Sequence, residues 1–557
     1  MNLSKLQFFE GLGTIALLAA SCGRICAASP LTVAAESNGH GTGRHIYIEE
    51  YRVDGGGHLL APEQVEETVY PFLGPYRSAT DVEQARAALE QAYRDKGYQT
   101  VSVTIPPQTF RGGIVYLKVV QGQIARLRVE GSRYYSLDEI KRQAPSLAEG
   151  TVPNFHDVSR DIVGLNQLPD RRVTPSLSPG KLPGTYDVNL NVKDTLPLHG
   201  SLEINNRYSA DTPELRLNGS INYDNLWQLG HSVGFSFQVA PQDFFSDSSQ
   251  TTSFLGIPVS QQTSVRVFSG YYLARIPGVD GISFLVQGTD QDSNVNTLGG
   301  IGVVGRGQII GGRAIFALPQ RNDFYHSVSL GFDYKHYEND LTIAGVPSST
   351  PVTYYPFSAA YSATWTGKQY EVDFNPSVVY HVRSLGSDDA QFELNRHGAS
   401  GDFIYFRADT SLRHDLPGGA EIFAKAQGQA SDEPLVNSEE FSGGGLGTVR
   451  GYLESEELGD NAAFGSVELR SPSFGSFIDK SIEDWRVYAF VDGGYLTIND
   501  PLPEQQAYFT LASVGAGMRF RVAGHYNGSL DLGIPLDDAT QTHAGDFVFT
   551  FRLWAEF

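Results

Sequence analysis

Residues Phe441 to Tyr452 read FSGGGLGTVRGY. Gly443, Gly444 and Gly445, with Gly447 and Gly451 close behind, allow backbone conformations closed to residues with side chains, so this stretch predicts a tightly folded loop and not a strand. Both flanks predict β-strands, Ala420 to Ala430 before it and Phe464 to Arg470 after it. One cation, Arg450, sits near the end of the turn, and a charge held on a glycine hinge between strands needs an anion to meet. The best candidate lies in VYAFVDGGYL, where Asp492 shares the alternation parity of Tyr488 and Phe490, opposite to Val487, Ala489 and Val491.

Around this stretch, from Leu196 onward, the chain shows period-two alternation in segments about ten residues long, broken by Gly, Pro, Asp and Asn. Leu215, Leu217, Ile221 and Tyr223 form one such series; Val233, Phe235, Phe237 and Val239 form another, and Val328, Leu330, Phe332 and Tyr334 a third. Later, Ala512, Val514, Ala516, Met518, Phe520 and Val522 alternate with Ser513, Gly515, Gly517, Arg519 and Arg521, a pattern with an apolar outside and a polar inside. At the end, Phe547, Phe549, Phe551, Leu553, Ala555 and Phe557 fall on one face, Thr550, Arg552 and Glu556 on the other. A soluble sandwich would alternate in the same way. No run of 18 apolar residues follows the first 28, so a membrane-spanning form of this chain must be a closed barrel, which satisfies every backbone polar group in lipid.

The first half reads differently. Ile46 to Val53 predicts a strand, Ala61 to Tyr70 and Asp81 to Lys96 predict helices, and Thr100 to Ile105 and Gly113 to Val120 predict strands. The second helix carries an apolar stripe of Val82, Ala85, Leu89 and Ala92, a capping box of Thr80 with Glu83, and a stop at Gly97. The same order then repeats. Ile124 to Val129 is a strand, Ser136 with Glu139 opens a helix, Asn154 opens another bearing Val158, Ile162 and Leu165, and Val173 to Leu177 and Tyr186 to Val192 are strands. Two successive βααββ units of about 75 residues each result. Ahead of them, Lys5, an apolar stretch from Gly11 to Ala20 and small residues up to Ala28 read as an export signal, cleaved near Ala28, which removes Cys22 and Cys26. Acylation at Cys22 is the alternative processing.

These residues together resemble the two-partner secretion transporters, relatives of BamA. VRGY at 449–452 and F-x-D-x-G at Phe490, Asp492 and Gly494 look like that family's signature loop and barrel-strand motifs, and KGYQTVSVTIPPQTFRGGIVYLKVVQG (96–122) and LNQLPDRRVTPSLSPGKLPGTYDVNLNV (165–192) follow its POTRA wording. The resemblance implies a signal peptide at 1–28, a short linker at 29–44, POTRA domains at 45–121 and 122–195, and a 16-stranded antiparallel transmembrane β-barrel at 196–557 with an inward-folded loop near 441–462. Roughly 360 residues over 16 strands leaves about 22 per strand and turn, enough for a tilted span. In this family Val449, Arg450, Gly451 and Tyr452 form the functional loop motif, Arg450 pairs with Asp492, and a terminal aromatic such as Phe557 is the signal for barrel insertion. In a wet lumen that pair would position more than stabilise, at about 1 kcal/mol. Many relatives carry a plug helix, for which the roughly 16 residues of 29–44 are too short; loop occupancy is then expected to close the pore.

Function follows as expectation. The implied protein sits in the outer membrane with its POTRA domains in the periplasm. There they recognise a secreted partner exoprotein, unfolded in transit, by offering an edge strand for main-chain hydrogen bonding. Outer-membrane lipid and the barrel assembly machinery are the other implied partners. A BamA-like insertase and a passive solute channel are the alternatives. The net charge of −22 excludes a nucleic-acid footprint. Enzyme chemistry, cofactors and metals are not expected. Gly300, Gly302 and Gly305 match a dinucleotide spacing but precede a strand where a helix is needed, His326 reads as a strand-end residue, and no P-loop, H-E-x-x-H or metal-spaced Cys/His cluster occurs.

Overall fold

The computed structural model describes residues 45–557 apart from 110–111, 211, 242–250, 255–256, 261–264, 277–280, 293–305, 322 and 344–345. The expected signal peptide, both cysteines, the 29–44 linker and the Gly300–Gly305 spacing lie outside the described residues. The chain divides into two compact units, Met1–Pro197 and Leu198–Phe557.

The first unit holds two three-stranded sheets, each with its helices packed on one face. In the first sheet the central strand Ile114–Gln121 pairs in parallel with Glu50–Gly55 and antiparallel with Val101–Thr104. The helix Ala79–Asp95 lays Val82, Ala85 and Leu89 on this sheet, as the stripe predicts. Its cap differs from the expectation: the box is Ser78 with Asp81, not Thr80 with Glu83. The helix starts two residues earlier because Ser78 accepts from the Asp81 amide while Asp81 accepts from the Ser78 amide at 2.8 Å. The strand expected over 46–53 is split at Glu49, and its first piece, Ile46–Ile48, pairs instead with Gly74–Arg77.

The second sheet repeats the plan, with Thr185–Asp194 central, parallel to Gln123–Glu130 and antiparallel to Arg171–Pro179. Ser136 and Asn154 cap the helices Leu137–Arg142 and Phe155–Leu165 where the sequence places them. Three of the four edge strands are partly closed to main-chain docking, each with an amide already taken: Val103 by Glu90 at 3.1 Å, Leu127 by Glu149 at 3.0 Å and Val173 by Asn166 at 2.6 Å. On Arg171–Pro179 the positions of the same parity as Val173 include Pro175 and Pro179, which have no N–H.

The second unit is a closed antiparallel barrel of 16 staves. They are β1 (Leu198–Asn205), β2 (Arg216–Leu226), β3 (His231–Val239), β4 (Arg266–Arg275), β5 (Ile282–Asp292), β6 (Arg306–Ala317), β7 (Phe324–Ile343) and β8 (Val346–Tyr354 and Phe357–Thr366). The rest are β9 (Tyr370–His381), β10 (Phe403–Asp415), β11 (Glu421–Ser431), β12 (Asn461–Arg470), β13 (Ile482–Thr497), β14 (Tyr508–Val522), β15 (Tyr526–Pro535) and β16 (Val548–Glu556). The two segments of β8 pair with successive stretches of β7, so they form one stave interrupted at Tyr355 and Pro356. Strand β6 is the strand expected after Gly305, and His326 lies in β7 with its ring 3.1 Å from the Tyr361 hydroxyl.

Alternation sorts the wall as the sequence indicates. Val487 and Val491 on β13 are 45% and 60% exposed on the outer face, while Tyr488, Phe490 and Asp492 are buried inside. Leu330 and Phe332 on β7 and Phe549 and Leu553 on β16 also lie on the outer band. Inside, aromatic rings lie flat across neighbouring staves where a glycine leaves room: a Cβ on Gly515 would come within 2.3 Å of the Phe490 ring, and one on Gly494 within 2.3 Å of Phe464. The cylinder closes between β16 and β1, where Arg552 pairs with Glu203 at 2.7 Å and Phe557 exchanges backbone hydrogen bonds with Gly200 at 2.8 and 3.0 Å.

Candidate functional site

Between β11 and β12 the chain turns back into the barrel. Part of the stretch expected to be pure loop is a hairpin stem: Phe441–Gly443 pairs with Glu457–Gly459. The crown from Gly444 to Glu456 is the glycine turn. Gly444, Gly445 and Gly451 all have positive φ, at 102°, 84° and 94°, which side chains rarely adopt.

Arg450 sits at the tip and meets Asp492 as the sequence predicts. Its Nε donates to Asp492 Oδ2 at 2.7 Å, its Nη2 to Oδ1 at 2.8 Å, and its own backbone amide to Oδ2 at 3.0 Å. The guanidinium also donates to Glu468 Oε1 at 2.5 Å and to Ser466 Oγ at 3.1 Å, lies 3.6 Å from Asp531, and stacks on the Phe490 ring at 3.6 Å. Phe490 thus serves as the platform for the cation, and Gly494 as the space that admits Phe464.

This is not the wet, marginal pair expected. Arg450 and Asp492 are 5% and 2% exposed, and in such a site removal of one partner costs about 3–5 kcal/mol. Burial opposes the charge on Arg450, but Asp492, Glu468 and Asp531 more than offset it and raise its pKa. The carboxylates are themselves held: Arg470 lies 2.6 Å from Glu468, Arg519 3.3 Å from it, and the Tyr488 hydroxyl donates to Asp531 at 2.7 Å.

The rest of the motif seats the crown. Val449 is fully buried in an apolar cluster with Phe441, Phe464, Leu496 and Leu511. The Tyr452 hydroxyl bridges the β14 and β15 ends, 3.0 Å from Ala512 O and 2.9 Å from Asp537 O. Gly451 lies against Gly533 of β15 so closely that a Cβ on Gly533 would come within 2.6 Å of the Gly451 nitrogen. On the far side of the crown, Glu454 pairs with Arg207 at 2.7 Å.

The root of the hairpin is fixed to a different part of the wall. The buried Glu439 carboxylate accepts from Lys335 of β7, from Tyr354 of β8 at 2.5 Å and from Tyr405 of β10 at 2.6 Å. Burial would raise the Glu439 pKa, but Lys335 and the two hydroxyls hold it below the ordinary value. Arg396, just past the helix Asp389–Asn395, lies 2.7 Å from both Glu440 and Asp460. Asp460 also accepts the amides of Leu435 and Asn499, each at 2.7 Å. Burial, opposed by Arg396 and reinforced by Asp460, pushes the Glu440 carboxyl up to about 7. Leu435 and Val436 join Tyr337, Tyr354, Phe392, Phe403 and Tyr405 in an apolar cluster beside this root.

Phe557, expected as the insertion signal, stands apart from this site at the β16–β1 seam. Glu468, Asp531 and the root residues were not singled out by sequence. Glu468 in VEL and Asp531 in LDL are carboxylates at inward parity between outward apolar residues, the same signal that marks Asp492. The root groups carry no comparable local pattern.

The descriptions of two known families match this chain: "POTRA domain, ShlB-type" over residues 46–122 and "Haemolysin secretion/activation protein ShlB/FhaC/HecB" over 184–520. The outer membrane transporter CdiB of Escherichia coli is 23% identical over 518 residues, 91% of this chain and 82% of that protein. The solved structure of CdiB from Escherichia coli shares the fold at a TM-score of 0.61 and 21% identity, covering 100% of both chains. BamA from Haemophilus ducreyi lacking POTRA domains 1–3 shares it at 0.52 and 14% identity, covering 92% of this chain and 100% of that one. With a closed barrel, an inward hairpin and a ShlB-type POTRA domain in one chain, this protein belongs to the haemolysin secretion/activation family ShlB/FhaC/HecB and is an outer-membrane transporter of two-partner secretion.

Proposed function

We propose that this transporter captures the unfolded amino-terminal part of one exported exoprotein in the periplasm, through the POTRA domains at 45–121 and 122–195, and passes it through the barrel at 196–557 to fold outside. The observation that carries this reading is the hairpin tip. A cation shared among Asp492, Glu468 and Asp531 holds a 29-residue insertion, 432–460, inside the cylinder. Val449, Arg450, Gly451 and Tyr452 act as one seating device, with Phe490, Asp492 and Gly494 as its receiving wall. Phe557 closes the seam and serves as the recognition end for the assembly machinery.

For capture, the second domain offers an apolar groove between helix Phe155–Leu165 and strand Arg171–Pro179, lined by Phe155, Val158, Ile162, Pro175 and Leu177. Pro175 and Pro179 leave Leu177 as the amide of outward parity on that part of the edge, so apolar side chains of the client carry more of the recognition than main-chain pairing does. Direction comes from folding on the far side, with lipid contacting the outer apolar band.

Two variants test the proposal. Deleting residues 46–192 should abolish client export while single-channel conductance persists, and Arg450→Ala should abolish export from a barrel that still inserts. Unimpaired export in the Arg450→Ala protein would refute the role given to the hairpin.

A further inference from the structure

We infer that the exported chain passes along the arc β1–β5, whose lumenal face is a docking surface for extended polypeptide backbone of any sequence. This rests on the transport reading above and adds where in the lumen the chain runs.

On these staves Leu202, Ile204, Ile221, Phe235 and Val286 are exposed on the outer face, so the residues between them face the lumen. Directly opposed pairs point to the same face. Ser201 opposes Ser220, Ser220 opposes Ser236, Ser236 opposes Ser269, and Ser269 opposes Thr289. An unbroken row of five hydroxyls therefore crosses five staves. Ser201 and Ser220 lie 2.7 Å apart and Ser269 and Thr289 3.0 Å apart, and all five side chains are half-buried, leaving part of each open.

A hydroxyl both donates and accepts, and its hydrogen rotates to suit. Such a row can meet the C=O and N–H groups of a passing backbone alike, and being uncharged it does not select among client side chains. One rung nearer the long-loop rim, Asn218 opposes Gln238. Both are more than nine-tenths buried, and the carboxamide oxygen of each has no partner among the described residues. A buried acceptor without a donor is costly, and an amide N–H of a threaded chain is a donor that would satisfy it once these carboxamides turn out into the lumen.

The opposite arc cannot play this part in the closed state. Glu468, Asp492, Asp531 and Ser513, facing the hairpin from β12–β15, are buried. The wall at β7, β8 and β10 holds the root through Glu439.

The test uses full-length protein in planar lipid bilayers, with an unstructured peptide rich in glycine, serine and asparagine as the probe. Transient blocks of the current are expected in wild type. Replacing Ser220, Ser236 and Ser269 together by Val should shorten them roughly tenfold, the equivalent of about one or two lost hydrogen bonds, while ion conductance stays within about twofold. In parallel, Ser236→Cys treated with a cationic methanethiosulfonate should lose both current and blocks, and Phe235→Cys, on the outer face, should lose neither. The Cys pair keeps the inference testable if the Val variant does not fold. Absence of blocks in wild type, unchanged blocks in the Val variant, or insensitivity of the labelled Ser236→Cys protein would overturn it. Peptide blocks need no client. If export proved independent of residues 46–192 while the blocks still depended on the serine row, capture by the POTRA domains would fail and the path would stand.

Discussion

Two arcs of one barrel, built on the same period-two alternation, have opposite interiors. From β10 to β15 the inward positions carry an interlocked set of arginines and carboxylates: Arg413 and Arg470 share Glu421, Arg470 shares Glu468 with Arg450 and Arg519, and Arg450 reaches Asp492 and Asp531. From β1 to β5 a row of uncharged hydroxyls stays partly open. The same covalent plan is an anchor where charge is matched in pairs and a slide along the uncharged row. A buried ion network needs all its members in place, whereas a hydroxyl row tolerates the loss of one.

The largest effect should come from the anchor. Arg450→Ala leaves Asp492, Glu468 and Asp531 around an empty centre, and at about 3–5 kcal/mol the crown should leave the wall. Raised conductance and lost export, with normal heat-modifiable mobility on gels, are the expected readout. Gly533→Val places side-chain atoms where the Gly451 backbone now lies, so it should reproduce that phenotype with the charges intact. If it behaves as wild type, charge and not fit seats the crown.

Glu439→Ala comes next. It leaves the Lys335 ammonium and the Tyr354 and Tyr405 hydroxyls without their acceptor, at about 1–3 kcal/mol, and should increase proteolysis of the hairpin root while the tip remains protected.

A smaller effect depends on pH. Glu440, with a folded pKa of about 7 against an ordinary 4.5, stabilises the root fully below the ordinary value and loses that contribution as pH rises through 7. Between pH 6 and 8 the root should loosen by roughly 1 kcal/mol, seen as faster amide exchange over 435–440. Glu440→Gln, which cannot ionise, should abolish the difference. The smallest change is expected on the open arc: Ser236→Ala alone should alter unfolding by less than about 0.5 kcal/mol.

Of this contrast, the strands and the Arg450–Asp492 pair are legible in the sequence. Alternation with glycine and aspartate breaks marks the strands, because a sheet with one apolar face repeats every two residues; a soluble sandwich would alternate alike, and the family resemblance is what points to a closed barrel of 16 staves. Asp492 is legible because it shares the alternation parity of Tyr488 and Phe490, opposite to Val487, Ala489 and Val491. The Ser78 cap was missed because Thr80 and Glu83 offer the same spacing two residues on, and local spacing does not say which box the tertiary structure uses. The stem Phe441–Gly443 was missed because its partner, Glu457–Gly459, lies beyond a glycine-rich crown. The root was invisible for a related reason: Lys335, Arg396, Glu439 and Asp460 come from four separate stretches, and only folding brings them together.

The seam has a consequence for how the molecule is made. Glu203 and Arg552, 349 residues apart in the chain, meet where β1 joins β16. Until they meet, an immersed sheet would present two ribbons of bare peptide groups to hydrocarbon, each group costing several kcal/mol. Burial in the bilayer and joining of the two ends must therefore happen as a single step, or under the shelter of another protein that lends its own edge meanwhile.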